Sequence, residues 1–114
     1  MATTEIEYAY TAFKVVGDSM DDGTRSSFEE GDKLLVVPVD DFRTSISGDQ
    51  DSFWVIETGN DILFKQITGY NKAADAVTCH SLNASYSDYQ VLVNDIDRIY
   101  KVVQKQGRPI YYGD

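Results

Sequence analysis

Ser19 and Lys65 are the two side chains in this sequence whose surroundings call for chemistry. Val15-Val16-Gly17-Asp18-Ser19-Met20 reads as a strand running into a glycine-containing turn that delivers a serine just past it. Such a turn can hold the hydroxyl exposed, with backbone N–H groups free to stabilise an oxyanion. A serine attacks only when a base takes its proton, and a lysine can do so only when desolvation leaves it neutral at working pH. Lys65 is placed for that role. In Ile62-Leu63-Phe64-Lys65-Gln66-Ile67, strand alternation sets Lys65 on one face with Leu63 and Ile67, and Gln66 on the other with Ile62 and Phe64. Both faces are largely apolar, so an ammonium buried there costs free energy unless it deprotonates or finds a partner. The residues alone leave open the alternative of an edge strand whose lysine head reaches water.

Other reactive side chains read as structural. His80 is the one histidine, so a two-histidine metal site is impossible, and in Val77-Thr78-Cys79-His80-Ser81 it is expected on a strand without a carboxylate neighbour. Cys79 is expected as a small core residue. Asp18, Asp22, Gly23 and Glu29 fall at positions 1, 5, 6 and 12 of a calcium-loop pattern, but Met20 and Arg25 break it, so no metal site is expected.

The elements that must position Ser19 and Lys65 are short. The chain has 114 residues, 42% of them hydrophobic, which fits one domain with a real core. Alternating or apolar runs separated by Gly, Asp, Asn and Ser predict a mainly β domain with short helical turns. Strands are expected at Phe13–Val16, Lys33–Val39, Phe53–Glu57, Ile62–Thr68, Ala76–Leu82, Tyr89–Val93 and Ile96–Gln104. Glu57-Thr58-Gly59-Asn60-Asp61 reads as a hairpin turn, and Gly69-Tyr70-Asn71 as the start of a second. The acidic stretches Asp18–Asp32 and Asp40–Ser52 read as loops or helical turns. Residues 1–12 read as an extension or linker remnant, 13–105 as the domain, and 106–114 as a tail.

Nineteen acids against ten bases give a net charge of -9, the wrong sign for binding phosphates or anionic lipid directly. The longest apolar runs, such as Leu34–Val37, fall far short of a membrane span. One cysteine and an N-terminus unlike a signal peptide predict a cytoplasmic protein.

Three segments in order carry a family resemblance: Gly17-Asp18-Ser19-Met20, then Glu30-Gly31-Asp32 leading into Leu34-Leu35-Val36-Val37, then Leu63-Phe64-Lys65-Gln66-Ile67. Together, from about Phe13 to Val103, they resemble the self-cleaving peptidase domain of LexA, UmuD and the phage repressors. Asn83-Ala84-Ser85-Tyr86 resembles the turn these domains place late in the fold. The resemblance implies a partly closed β-sheet of the LexA and signal-peptidase kind, with Ser19 as nucleophile, Lys65 as general base and the backbone at Ser19 and Met20 as oxyanion site. Gly17, Asp18, Gly31 and Asp32 are the supporting motif positions. It implies no cofactor.

The same resemblance implies a homodimeric transcriptional regulator of the SOS-response type, its own upstream segment being the substrate and a RecA-type filament the trigger. DNA would be bound only through an N-terminal helix-turn-helix domain absent from this sequence. Ser19 and Lys65 lie 46 positions apart, longer than in compact members, and the loop Asp40–Ser52 is where the extra length is expected. Family members cut a small-residue bond, often Ala-Gly, upstream of the serine; no Ala-Gly bond precedes Ser19, and Ala9-Tyr10 and Ala12-Phe13 are poor substitutes. An excised C-terminal domain or a cleavage product is therefore expected. The alternative within the family is a dimerisation module that no longer cuts. Signal peptidase and a small acidic binding protein of unrelated fold are the outside readings. Tyr86, Tyr89, Tyr100, Tyr111 and Tyr112 are candidates for a dimer face, with core or tail packing the competing role for each.

Overall fold

The computed structural model describes residues 11–48, 51–105 and 108–109. Among the described residues eight strands form one sheet: β1 (Thr11–Lys14), β2 (Lys33–Pro38), β3 (Ser52–Thr58), β4 (Asp61–Asn71), β5 (Ala76–His80), β6 (Tyr89–Leu92), β7 (Ile96–Lys105) and β8 (Arg108–Pro109). A short helix, α1 (Phe42–Gly48), precedes β3, and a single helical turn, Val93–Asp95, precedes β7. The order across the sheet is β1-β2-β7-β3-β4-β5-β6, with β8 on the end of β7. Every pairing is antiparallel. The sheet stays open, in agreement with the mainly β, partly closed architecture expected.

Both faces of the sheet are covered, which is why its central strand, β3, is apolar on both faces from Phe53 to Ile56. Alternate residues of β3 enter two cores: Val55 packs with Met20, Phe28, Leu34, Val36 and Val102, while Trp54 and Ile56 pack with Ile46 of α1, Ile67, Val77 and Cys79. In the first core Phe28 meets Phe53 and Phe64 edge to face, with ring centroids 4.9 and 4.8 Å away. The acidic segment Asp18–Asp32 thus closes one face through Met20 and Phe28, and Lys105 Nζ holds it by donating to the carbonyls of Arg25 and Ser27.

Four expectations need correction. Regular pairing of β1 ends at Lys14↔Lys33, so the strand is Thr11–Lys14 and not Phe13–Val16. Val15 still exchanges hydrogen bonds with Gly31 and Asp32, but Val16 is 83% exposed and has left the sheet. Gly69-Tyr70-Asn71 lies inside β4, because Gly69 marks a bulge where the β4–β5 register shifts; the turn follows at Lys72–Asp75. The tail begins by returning on β7 through Arg108↔Lys105 and Pro109↔Gln104. Tyr100 is buried against Phe13 and donates its hydroxyl to Glu57, so it belongs to the core and not to a dimer face; Tyr86 and Tyr89 are exposed, and Tyr111 and Tyr112 lie outside the described residues.

Candidate active site

The turn carrying Ser19 is built from the backbone outward. Gly17 takes a φ of 80°, a conformation glycine adopts without steric cost, and this swings the chain off the end of β1. Gly31, at φ 94°, turns the chain back, so that Val15 can pair with Gly31 and Asp32 on entry to β2. Asp32, largely buried, accepts the N–H of Glu29 on its carboxylate and fixes that return. Met20 then buries its side chain completely in the core, which anchors the turn one residue past the serine. Phe28 N–H donates to the Met20 carbonyl and Asp21 N–H to that of Asp18.

Lys65 comes to this turn from the other side. It sits in β4 opposite Trp54, with its Nζ 3.0 Å from Ser19 Oγ and 2.8 Å from Ser81 Oγ. Lys65 is 8% exposed, and among the described residues it makes no ion pair. Burial pushes its pKa below the ordinary lysine value of 10.5, with the Cys79 sulfur acting weakly in the opposite direction. The Tyr86 ring lies 5.9 Å from Nζ, at the outer limit of a cation–π contact, so desolvation governs. Lys65 therefore does not carry its head into water, as the edge-strand alternative would have it.

The charged and neutral forms of this lysine do different things. As an ammonium it donates to both serine hydroxyls. Once neutral, it keeps an N–H for Ser81 and can turn its lone pair to Ser19, whose O–H then becomes the donor. Ser81, fully buried just past β5, is therefore the acceptor that fixes the Lys65 amine in either form, a contact that nothing in its local sequence signals. Asn83-Ala84-Ser85-Tyr86 follows after Leu82 and is hydrogen-bonded to the serine turn. Asn83 N–H donates to the Ser19 carbonyl, Asn83 Nδ2 to the Asp18 carbonyl, and the Tyr86 hydroxyl to the Asp18 carboxylate, which pushes the tyrosine pKa up.

The remaining reactive groups stand apart from this chemistry. His80 does have a carboxylate neighbour, contrary to expectation: its Nδ1 is 2.7 Å from Asp88 Oδ1, a partner eight positions along the chain in a surface pair. Cys79 is a buried core residue as expected, its thiol pushed up to about 11 mainly by burial.

A cleft of about 360 Å³ opens beside Ser19 and Lys65, lined also by Val16, Met20, Tyr89 and the β4 run Ile62–Phe64 among others. Its rim carries much of the exposed apolar surface: Val16 is 83% exposed and Ile62 62%. One wall is an open strand edge. β3 pairs with β4 from Asp61 onward, whereas β5 joins β4 only from Gln66, so among the described residues Asp61–Lys65 has no strand on its second side. An extended polypeptide can add to such an edge through its backbone while its side chains enter the apolar cleft. No protein-family model matches the chain, and none of the curated proteins matches it. Among the described residues no helix is long and apolar enough to cross a membrane.

Proposed function

We propose that this domain is a Ser-Lys peptidase of the LexA and phage-repressor kind that cuts an extended segment of its own polypeptide upstream of the domain. The observation that carries the reading is a buried lysine with no ion-pair partner among the described residues, within hydrogen-bond reach of a serine in a glycine-opened turn and beside a cleft whose β4 wall has no second strand among those residues. A lysine in that position is a poor structural element and a good base.

Chemistry follows from the two hydrogen bonds of Lys65. Neutral Lys65 takes the Ser19 proton as Oγ bonds to the scissile carbonyl carbon, and the carbonyl oxygen becomes an oxyanion held by the N–H groups at Ser19 and Met20. Collapse breaks the C–N bond, with Lys65 returning its proton to the leaving amine. Water then attacks the acyl-serine, giving its proton to Lys65, and the ester C–O bond breaks to release the acid and regenerate Ser19. These steps use neither metal nor cofactor.

In this reading the domain is the dimerising half of a cytoplasmic transcriptional repressor, and cleavage uncouples it from DNA-binding heads that dimerisation had held together. A RecA-type filament is the trigger that the resemblance implies. The test uses a longer protein bearing the upstream segment, incubated at rising pH and followed by intact mass beside Ser19→Ala and Lys65→Ala. A single cut that grows with pH and disappears in both variants supports the peptidase. A chain that stays intact at every pH while still dimeric contradicts it and favours a non-cleaving dimerisation module.

A further inference from the structure

Asn83 makes two hydrogen bonds to consecutive carbonyls, and each of those carbonyls shares a peptide unit with a candidate oxyanion donor. Its Nδ2 donates to the Asp18 carbonyl at 3.1 Å, and its backbone N–H donates to the Ser19 carbonyl at 3.0 Å. The peptide unit that carries the Asp18 carbonyl also carries the Ser19 N–H; the unit that carries the Ser19 carbonyl also carries the Met20 N–H. All peptide bonds among the described residues are trans, so in each unit the N–H points opposite to the C=O. Fixing two carbonyls toward Asn83 therefore fixes two N–H groups away from it. The turn's own bonds use the N–H groups of Asp21, Phe28 and Asn83 and leave those of Ser19 and Met20 outside that set.

We propose that Asn83 is the positioning residue of the oxyanion site, setting the direction of the Ser19 and Met20 N–H groups through the two peptide units it holds. The inference rests on the peptidase reading and deepens it. Hydrogen bonding at a peptide oxygen also polarises that unit, which strengthens its N–H as a donor. Asn83 is itself fixed in place: its Oδ1 accepts the N–H of Ser85 at 2.9 Å and its carbonyl that of Tyr86 at 3.1 Å, forming a compact turn two residues past Ser81. One short loop thus orients the base through Ser81 and the oxyanion donors through Asn83.

The probe is a fluorophosphonate, which phosphonylates a reactive serine and places its phosphoryl oxygen where the oxyanion would sit; the rate of mass gain at Ser19 is followed against pH. Two variants separate positioning from loop structure. Asn83→Ala removes both the donor and the Ser85 acceptor, whereas Asn83→Asp keeps the acceptor and the backbone N–H but cannot donate at neutral pH. Both are expected to label roughly tenfold or more slowly than the wild type, Asn83→Ala with an unchanged pH midpoint, since Lys65 is untouched. Their ¹⁵N correlation spectra should show shifts at Ser19 and Met20 with the rest of the domain in place. Labelling of Asn83→Asp at the wild-type rate with only Asn83→Ala slowed would make Asn83 a turn former and overturn the proposal. A displaced midpoint in Asn83→Ala would overturn it too, by routing the effect through the base. Absence of Ser19 labelling in the wild type would overturn the peptidase reading itself, and this inference with it.

Discussion

Ser81 accepts a hydrogen bond from Lys65 Nζ at 2.8 Å, the shorter of the two bonds that Nζ makes to serine hydroxyls. The bond persists when Lys65 loses its charge, because a neutral amine still has N–H groups to donate. Ser81→Ala is expected to leave the fold in place and slow self-cleavage by about one to two orders of magnitude, as loss of a group that orients a general base does. Ser81→Thr, which keeps the hydroxyl, should retain most of the rate. Single-turnover cleavage rates of the three proteins, measured at one pH, check this.

Lys65 is a stability liability, because burial penalises its charged form. Its folded pKa lies below the unfolded value of 10.5, so the folded state carries fewer protons between those two values and stability rises with pH across that window. Below the folded pKa the full penalty is present. Lys65→Met should therefore be more stable than the wild type at neutral pH, by about 1.4 kcal/mol for each pH unit that separates the folded from the unfolded value. The advantage should shrink as pH rises through the window. Urea midpoints at several pH values measure it.

Gly17 should resist substitution for a conformational reason alone. A Cβ added there meets nothing within 4 Å, but the φ of 80° is one that other L-residues adopt at a cost of about 1–2 kcal/mol. Gly17→Ala is expected to lose that much stability, or to relax the turn and draw Ser19 away from Lys65. Chemical denaturation together with the cleavage rate distinguishes the two, since relaxation would spare stability and reduce the rate.

A surface pair ties α1 to the turn between β4 and β5. Asp75 accepts both Nε and Nη2 of Arg43 on α1, at 3.1 and 2.9 Å, and also the Tyr70 hydroxyl, and the Arg43 bonds lead in lowering its pKa to about 2. A folded pKa beneath the unfolded 3.8 means that this stabilisation is complete above 3.8 and lost as pH falls through about 2. Asp75→Asn should melt below the wild type at neutral pH, with the difference closing in strong acid. Thermal melts across that range test the sign.

Most of the strand pattern, the turn at Ser19 and the apolar setting of Lys65 were legible because each depends on local sequence: Gly17 opens a turn, and the 2-residue period around Lys65 leaves a charge among apolar neighbours; that the two side chains meet was an expectation of the family resemblance. Ser81 was not. Carrying the Asn71↔Ala76 pairing back along the hairpin would set Leu82 opposite Lys65; the bulge between Ile67 and Gly69 advances the register by one, so that Gln66 pairs with His80 and Ser81 comes next, beside Lys65. The same glycine was read as a turn, since a positive-φ site and a bulge leave the same residue in a sequence. Asn83 and Asp88 were illegible as partners because their bonds to the serine turn and to His80 form only once β5 and the loop after it are folded.

The most direct test of the account is the titration of Lys65 itself, followed through its side-chain ¹³Cε and ¹⁵Nζ resonances in the folded domain, with Lys65→Met giving the assignment. A midpoint clearly below 10.5 is the predicted result, because the lysine that serves Ser19 must be able to hold its lone pair free. A midpoint at or above the ordinary lysine value would leave Lys65 a permanent ammonium between two serines, unable to take the Ser19 proton, and would contradict the account.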